Sequence, residues 1–186
     1  MDKKINIAIA GGNCTGKTTL AHLLFSKLKE KELDYDYIED YGRRVVHRLG
    51  YFKTSIECFY LFHMQQDLEE SSRAFNGYVT ETPLFHFNFH AELCAKDDRD
   101  RLGVEDLWRL WNARMDNYPI IAIAKDPEET PFRHDSSRKS SEKFERKRHM
   151  MINNYLELFC SDKLVRVSGN PGNRADQILE LYDRLK

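Results

Sequence analysis

Gly11-Gly12-Asn13-Cys14-Thr15-Gly16-Lys17-Thr18 matches the spacing GxxxxGK[ST]. Those residue types in that order suit one task, holding a chain of phosphates. Glycines let the backbone turn so that successive N–H groups converge on anionic oxygens. The start of a following helix adds partial positive charge. The Lys17 ammonium reaches the outer phosphates, and the Thr18 hydroxyl is a ligand suited to Mg2+. Gly11, Asn13, Cys14, Thr15, Gly16, Lys17, Thr18 and Thr19 are therefore the expected nucleotide-binding residues, with ATP and Mg2+ as the expected ligands. Cys14 is read as a small filler in the loop.

Carboxylates must supply the rest of the chemistry. Transfer to a hydroxyl needs a proton acceptor and a group that organises Mg2+. Glu39-Asp40-Tyr41-Gly42-Arg43-Arg44 and Glu81-Thr82-Pro83 each follow an apolar run. Asp40 is assigned as the base and Glu81 as the metal-organising carboxylate; the two roles are interchangeable on sequence grounds. Alternation along a strand turns Glu39 and Asp40 apart, so only one should face the site. Glu39 then reads as surface charge. Asp40 and Glu81 also suit the first turn of a helix as caps.

These residues need strands and helices to place them. Apolar runs between turn signals predict strands at Ile5–Ala10, Asp36–Ile38, Tyr78–Thr80, Ile120–Ala124 and Leu164–Val167. Helical spacing appears in Leu20, Leu23, Leu24 and Leu28, across about 55–75, across Leu102–Tyr118, and in the last turns from Ile178. The alternation implies an α/β fold with a mostly parallel sheet covered on both faces. Ligands bind beyond the carboxyl ends of such strands. That directs attention to Gly11–Thr18, Asp40–Arg44, Glu81–Pro83 and Lys125–Arg138.

Composition limits the classes. The chain has 186 residues, 41% of them hydrophobic, and a net charge of −1, which excludes global disorder and a globally basic nucleic-acid binder. No apolar run is long enough to cross a membrane. The opening MDKKINIAIAGG reads as a strand entering the glycine loop, not as a leader. Cys14, Cys58, Cys94 and Cys160 form no CxxC pair, so reduced thiols in a cytoplasmic protein are expected. One segment is locally basic: from Arg133 to Arg148, seven Lys/Arg stand against three Asp/Glu. It reads either as a solvated loop leading into a helix or as a flap closing over phosphates.

In order, GGNCTGKTTL, EDYGRRVV, the Gln65-Gln66 helix, ETPLFHF, RHDSSR and VSGNPGNRADQI resemble a P-loop kinase family. The likeness is to the nicotinamide-riboside kinase domain of NadR-type proteins and their AAA-domain relatives, among the nucleoside and nucleotide kinases. It covers nearly the whole chain. It implies a three-layer fold with a five-stranded parallel sheet, one kinase domain over 1–186, a helical and basic lid at about 126–149, and Mg-ATP-dependent phosphoryl transfer. Asp40-Tyr41-Gly42-Arg43 resembles a family segment that contacts the acceptor. Asp135-Ser136-Ser137-Arg138 resembles a lid segment whose arginine reaches phosphate oxygens, which adds Arg138 to Lys17, Asp40 and Glu81 as catalytic residues. Arg174 resembles a residue near the nucleotide base. Two departures stand out. Asp40 replaces the usual Glu, and Glu81-Thr82-Pro83 stands where many relatives have Asp followed by Arg or Thr. In monophosphate kinases that arginine helps hold the acceptor phosphate; Pro83 cannot, which favours an acceptor hydroxyl without such a clamp.

The acceptor is less defined. Phe59-Tyr60-Leu61-Phe62-His63 and Phe85-His86-Phe87-Asn88-Phe89-His90 are aromatic enough to stack on a base, and the Gln65 amide can read a base edge. The same aromatics suit a helix core. With Asp40, Tyr41, Arg43, Gln65 and Glu81 as substrate-binding residues, the first expectation is a kinase for a nucleoside-like hydroxyl. The alternatives are a kinase for a hydroxymethylated pyrimidine base in DNA, an activity of bacteriophage relatives of this superfamily, and an NTP-hydrolysing switch.

Overall fold

The computed structural model describes residues 4–50, 54–124 and 140–186. In chain order the elements are β1 (Ile7–Ala10), α1 (Lys17–Glu30), β2 (Tyr35–Ile38), α2 (Tyr41–Leu49), α3 (Ser55–Glu70), β3 (Gly77–Thr80), α4 (Phe85–Cys94), α5 (Asp98–Asn112), a 3-10 turn (Met115–Asn117), β4 (Ile120–Ala124), α6 (Glu142–Phe159), β5 (Leu164–Val167) and α7 (Pro171–Leu185). The strands form one parallel sheet in the order β2-β3-β1-β4-β5. The five-stranded α/β architecture is the one expected.

Period-two alternation divides the core into two layers. Ile7 and Ile9 of β1, with Ile120 and Ala122 of β4, pack under α1 and α7 against Leu20, Leu24, Leu28, Ile178 and Tyr182. Ala8 and Ala10, with Ile121 and Ile123, face the opposite side, where Phe62, Phe85, Phe89, Trp111 and Ile152 of α3 to α6 pack. Small residues on β1 leave room there for the rings. Phe85 lies edge-on to Trp111, with centroids 4.9 Å apart.

Several boundaries differ from expectation. The helix expected over 55–75 stops at Glu70, and the one expected over Leu102–Tyr118 starts at Asp98 and ends at Asn112. Its amino end is set by Asp97, whose side chain accepts from the Asp100 N–H. α2 and α4 were not expected as separate helices. The aromatics of α4 resolve as core: Phe85, Phe87 and Phe89 are all buried. Among the described residues no helix is long and apolar enough to cross a membrane.

Candidate active site

The carboxyl ends of β2 and β3 finish level, and β1 runs two residues further. Ala8 of β1 and Ile38 of β2 both pair in register with Thr80 of β3. Glu39-Asp40 and Glu81 therefore leave the sheet side by side, and the loop that Gly11 opens starts just beyond them. The loop after β1 reverses direction through left-handed backbone at Cys14 (φ 65°) and Gly16 (φ 79°). Thr15 Oγ1 and Lys17 Nζ both donate to the Gly12 carbonyl, at 3.0 and 2.7 Å. Desolvation, helped by the Arg148 guanidinium, pushes the Lys17 ammonium down to about 8. An anion arriving here would raise that value again. α1 begins with no side-chain cap and no acidic residue in its first turn, an arrangement suited to phosphate.

Thr18, one residue into that helix, donates to the Glu81 carboxylate. Tyr37 of β2 donates to the other Glu81 oxygen at 2.9 Å, and Arg43 Nη2 reaches Thr18 Oγ1 at 3.2 Å. Glu81 is 3% exposed and is no helix cap. Asp40 is a cap: it accepts from the Arg43 N–H at 3.1 Å and starts α2.

Thr18, Tyr37, Asp40, Arg43 and Glu81 line a pocket of about 370 Å³, completed by His22, Glu39, Arg44 and His47. His22 stacks on Tyr37 with centroids 4.4 Å apart. Glu39 and Asp40 both line this pocket, contrary to the expectation that only one would. β2 ends at Ile38, so strand alternation does not extend to them. Glu39 is paired with Arg44.

Other expected residues fall elsewhere. Gln65 accepts from the Tyr41 N–H at 3.0 Å and donates to the Glu39 carbonyl at 3.2 Å, so its amide staples the β2–α2 turn and does not line the pocket. The Tyr41 ring packs toward Tyr60 of α3. Arg174, buried at the start of α7, brings Nη1 to 4.0 Å from where a Cβ on Gly16 would stand. Asn13 and Cys14 are half-buried and Thr19 is exposed. Asp135 to Arg138 lie outside the described residues, and with them most of the expected lid. Its end is α6, where Arg146 pairs with Glu142 and Arg148 with Glu145.

Three residues that sequence reasoning missed hold the loop from behind. His86 Nε2 accepts from the Gly11 N–H and His149 Nδ1 from the Gly12 N–H, each at 3.2 Å. Glu145 accepts from the Asn13 N–H and from its side-chain amide, each at 3.0 Å. Burial, with Lys17 and Arg148 nearby, holds the His86 pKa well below its usual value, keeping the ring neutral as an acceptor must be. No motif marks these residues; the only hint is that Glu145 and His149 share one helix face at i,i+4.

The donor set fits Mg2+. Thr18 and Glu81 bring hard oxygens together beside the loop. Among the described residues no cluster of three or more His, Cys, Asp and Glu could hold a metal by itself. Mg2+ is usually held by one or two protein oxygens plus phosphates and water.

A parallel sheet in this order, with a phosphate-type loop after its central strand, defines the P-loop kinase fold. Residues 6–157 match the family described as AAA domain, and the chain belongs to that family. Its fold is similar to that of NadR protein in complex with NAD and AMP-PNP, at 19% identity and a TM-score of 0.69, over 98% of this chain and 50% of that one. It is also similar to deoxyadenosine kinase from M. mycoides (11% identity, TM-score 0.62, 98% of this chain and 100% of that one). A third similar structure is shikimate kinase from Acinetobacter baumannii in complex with shikimate (13%, 0.53, 99% and 96%). The chain spans about half the length of the NadR protein. No curated protein matches it by sequence.

Proposed function

We propose that residues 1–186 form one Mg-ATP-dependent kinase domain, lidded by about 126–149, that phosphorylates a hydroxyl of a nucleoside-like acceptor. One observation carries the reading: Thr18, the last residue of the phosphate-loop motif, also lines the 370 Å³ pocket that holds Asp40 and Glu81. The phosphate site and a pocket of small-ligand size thus share a wall.

The balance of the step is simple. The acceptor O–H gives its proton to the Asp40 carboxylate. Its oxygen bonds to the γ-phosphorus, and the bond to the bridging oxygen breaks, its electron pair leaving with ADP. Lys17 and Arg43 face the charge that spreads over the transferring group. Arg138 from the lid is assigned to the same charge. Thr18 and Glu81 would hold Mg2+, which would supply positive charge against the negative charge of the phosphates. With Pro83 in place of a clamping arginine, an acceptor without its own phosphate fits best. A mixed wall of His22, Tyr37, Asp40 and Arg43 offers both stacking and hydrogen bonds to a base and sugar.

Transfer of label from ATP to a panel of nucleosides, ribosides and hydroxymethylpyrimidine DNA tests this. A labelled nucleoside or riboside, with weak salt dependence, is the expected result. Label in DNA that falls steeply with ionic strength would favour the DNA acceptor. ATP hydrolysis with no labelled acceptor would favour the switch.

A further inference from the structure

Three consecutive amides of the phosphate loop are occupied from outside the loop, two of them by one helix. Gly11 N–H goes to His86 of α4, Gly12 N–H to His149 of α6, and Asn13 N–H to Glu145 of α6. The contact is close: a Cβ on Gly12 would stand 2.8 Å from the Glu145 carbonyl oxygen. Glu145 is the hub. It is 3% exposed, accepts from Asn13 twice and from Ser140 Oγ at 2.6 Å, and pairs with Arg148 at 2.7 Å. Burial alone would raise its pKa; Arg148, Ser140 and the Asn13 amide outweigh burial and hold the carboxyl below its usual range.

We propose that Glu145 is a positioning residue for phosphate binding: its carboxylate fixes the Asn13 amide, just before the left-handed turn at Cys14, and ties that amide to Ser140 just ahead of α6. The inference rests on reading the loop as the nucleotide site. Its logic is directional. The Gly11, Gly12 and Asn13 amides are taken by α4 and α6, the backbone turns left-handed at Cys14, and phosphate binding falls to the amides that follow. Loosening Asn13 leaves those later amides less converged, which weakens the grip on phosphates without touching the acceptor pocket. A preorganised site of this kind depends on the groups that lock its first layer.

Glu145→Gln keeps the shape but loses the charge and swaps one oxygen for a donor. We expect the Kd for ADP and for inorganic tripolyphosphate to rise about tenfold, in line with loss of a charged hydrogen bond. The acceptor KM should stay unchanged. Because the variant leaves Arg148 unpaired, Glu145→Gln/Arg148→Gln is the companion; it should show the same loss of ADP affinity with better stability. Glu142→Gln, which affects only a surface pair one turn away, should bind like wild type. Wild-type affinity for both ligands in the two Glu145 variants, at a temperature where they are folded, would overturn the inference. So would an equal rise in ADP Kd and acceptor KM, which marks general loosening. Failure of wild-type protein to bind ADP or tripolyphosphate would instead remove the nucleotide-site reading beneath it.

Discussion

Thr18 and Glu81 share a hydrogen bond across the space between the first turn of α1 and the end of β3. This contact separates the two candidate carboxylates. Glu81 is committed on both sides, to Thr18 and to Tyr37. Asp40 is committed through one cap contact to its own helix. The residue pair beside the phosphate loop suits the ion, and the pocket-lining cap residue suits the proton.

Asp40→Asn is therefore an informative substitution. Asn is as good an N-cap as Asp, so α2 should start unchanged and the melting temperature should hold. Turnover should fall by roughly 10²–10⁴, the range for a lost general base. Asp40→Ala should show the same kinetic loss plus about 1 kcal/mol of destabilisation from the missing cap. Steady-state kinetics with denaturant melts checks both. An unchanged rate in Asp40→Asn would transfer the base to Glu81.

Lys17 sets a pH dependence. Its ammonium sits at about 8 in the free protein because desolvation and Arg148 disfavour charge. A bound phosphate chain raises that value again. Between the two values the complex holds a proton that the free protein has lost, so binding takes up protons and affinity falls as pH rises above about 8. Calorimetry of ADP binding at pH 8.5, in buffers of different ionisation enthalpy, should register uptake that is lost in Lys17→Ala. That variant should also abolish transfer while melting normally. Zero proton exchange in wild type would separate Lys17 from the phosphates.

How far the sequence reaches depends on the range of the interactions. The five strands and the loop were legible because each is a local signal: an apolar run, a glycine turn, a fixed spacing. Asp40 and Glu81 followed from the rule about strand ends. Glu145, His86 and His149 were not legible, because they meet the loop from 132, 75 and 137 residues away in sequence. The contacts of the Gln65 amide were out of reach for the same reason: its partners are the Tyr41 N–H, the Glu39 carbonyl and the Thr80 hydroxyl, which no motif marks. The aromatic run at 85–89 had a core reading and a stacking reading, and only packing against Trp111 decided between them.

Gly12 and Gly103 should respond in opposite directions to alanine. A methyl on Gly12 meets backbone, the Glu145 carbonyl at 2.8 Å, so α6 or the loop must move. Overpacking of this kind costs about 1–3 kcal/mol. In α5, a Cβ on Gly103 meets only Ser55, its Oγ at 3.7 Å and its Cβ at 4.0 Å, both ordinary contacts. Removing a glycine from a helix interior gains roughly 0.5–1 kcal/mol. Thermal melts of the two variants should bracket wild type. A neutral Gly12→Ala would show that α6 does not press on the loop.

Glu69 makes the last case, outside the candidate pocket. It sits in the core beneath β3, accepting from Tyr118 and, at 3.1 Å, from Tyr78. Burial pushes its carboxyl up to about 8, against the opposing pull of those hydroxyls. An unfolded Glu ionises near 4.5. Between those values the folded chain keeps a proton that the unfolded chain has lost, so stability declines as pH rises from about 4.5 to about 8 and levels off above. Glu69→Gln removes the titration while keeping an acceptor for the tyrosines. Its stability relative to wild type should therefore improve steadily across that window, whatever fixed offset the amide introduces. Urea unfolding at pH 5.5, 7 and 8.5 measures the difference. Parallel curves for the two proteins would mean that Glu69 is already ionised in the folded core, with both tyrosine hydroxyls serving as its solvation.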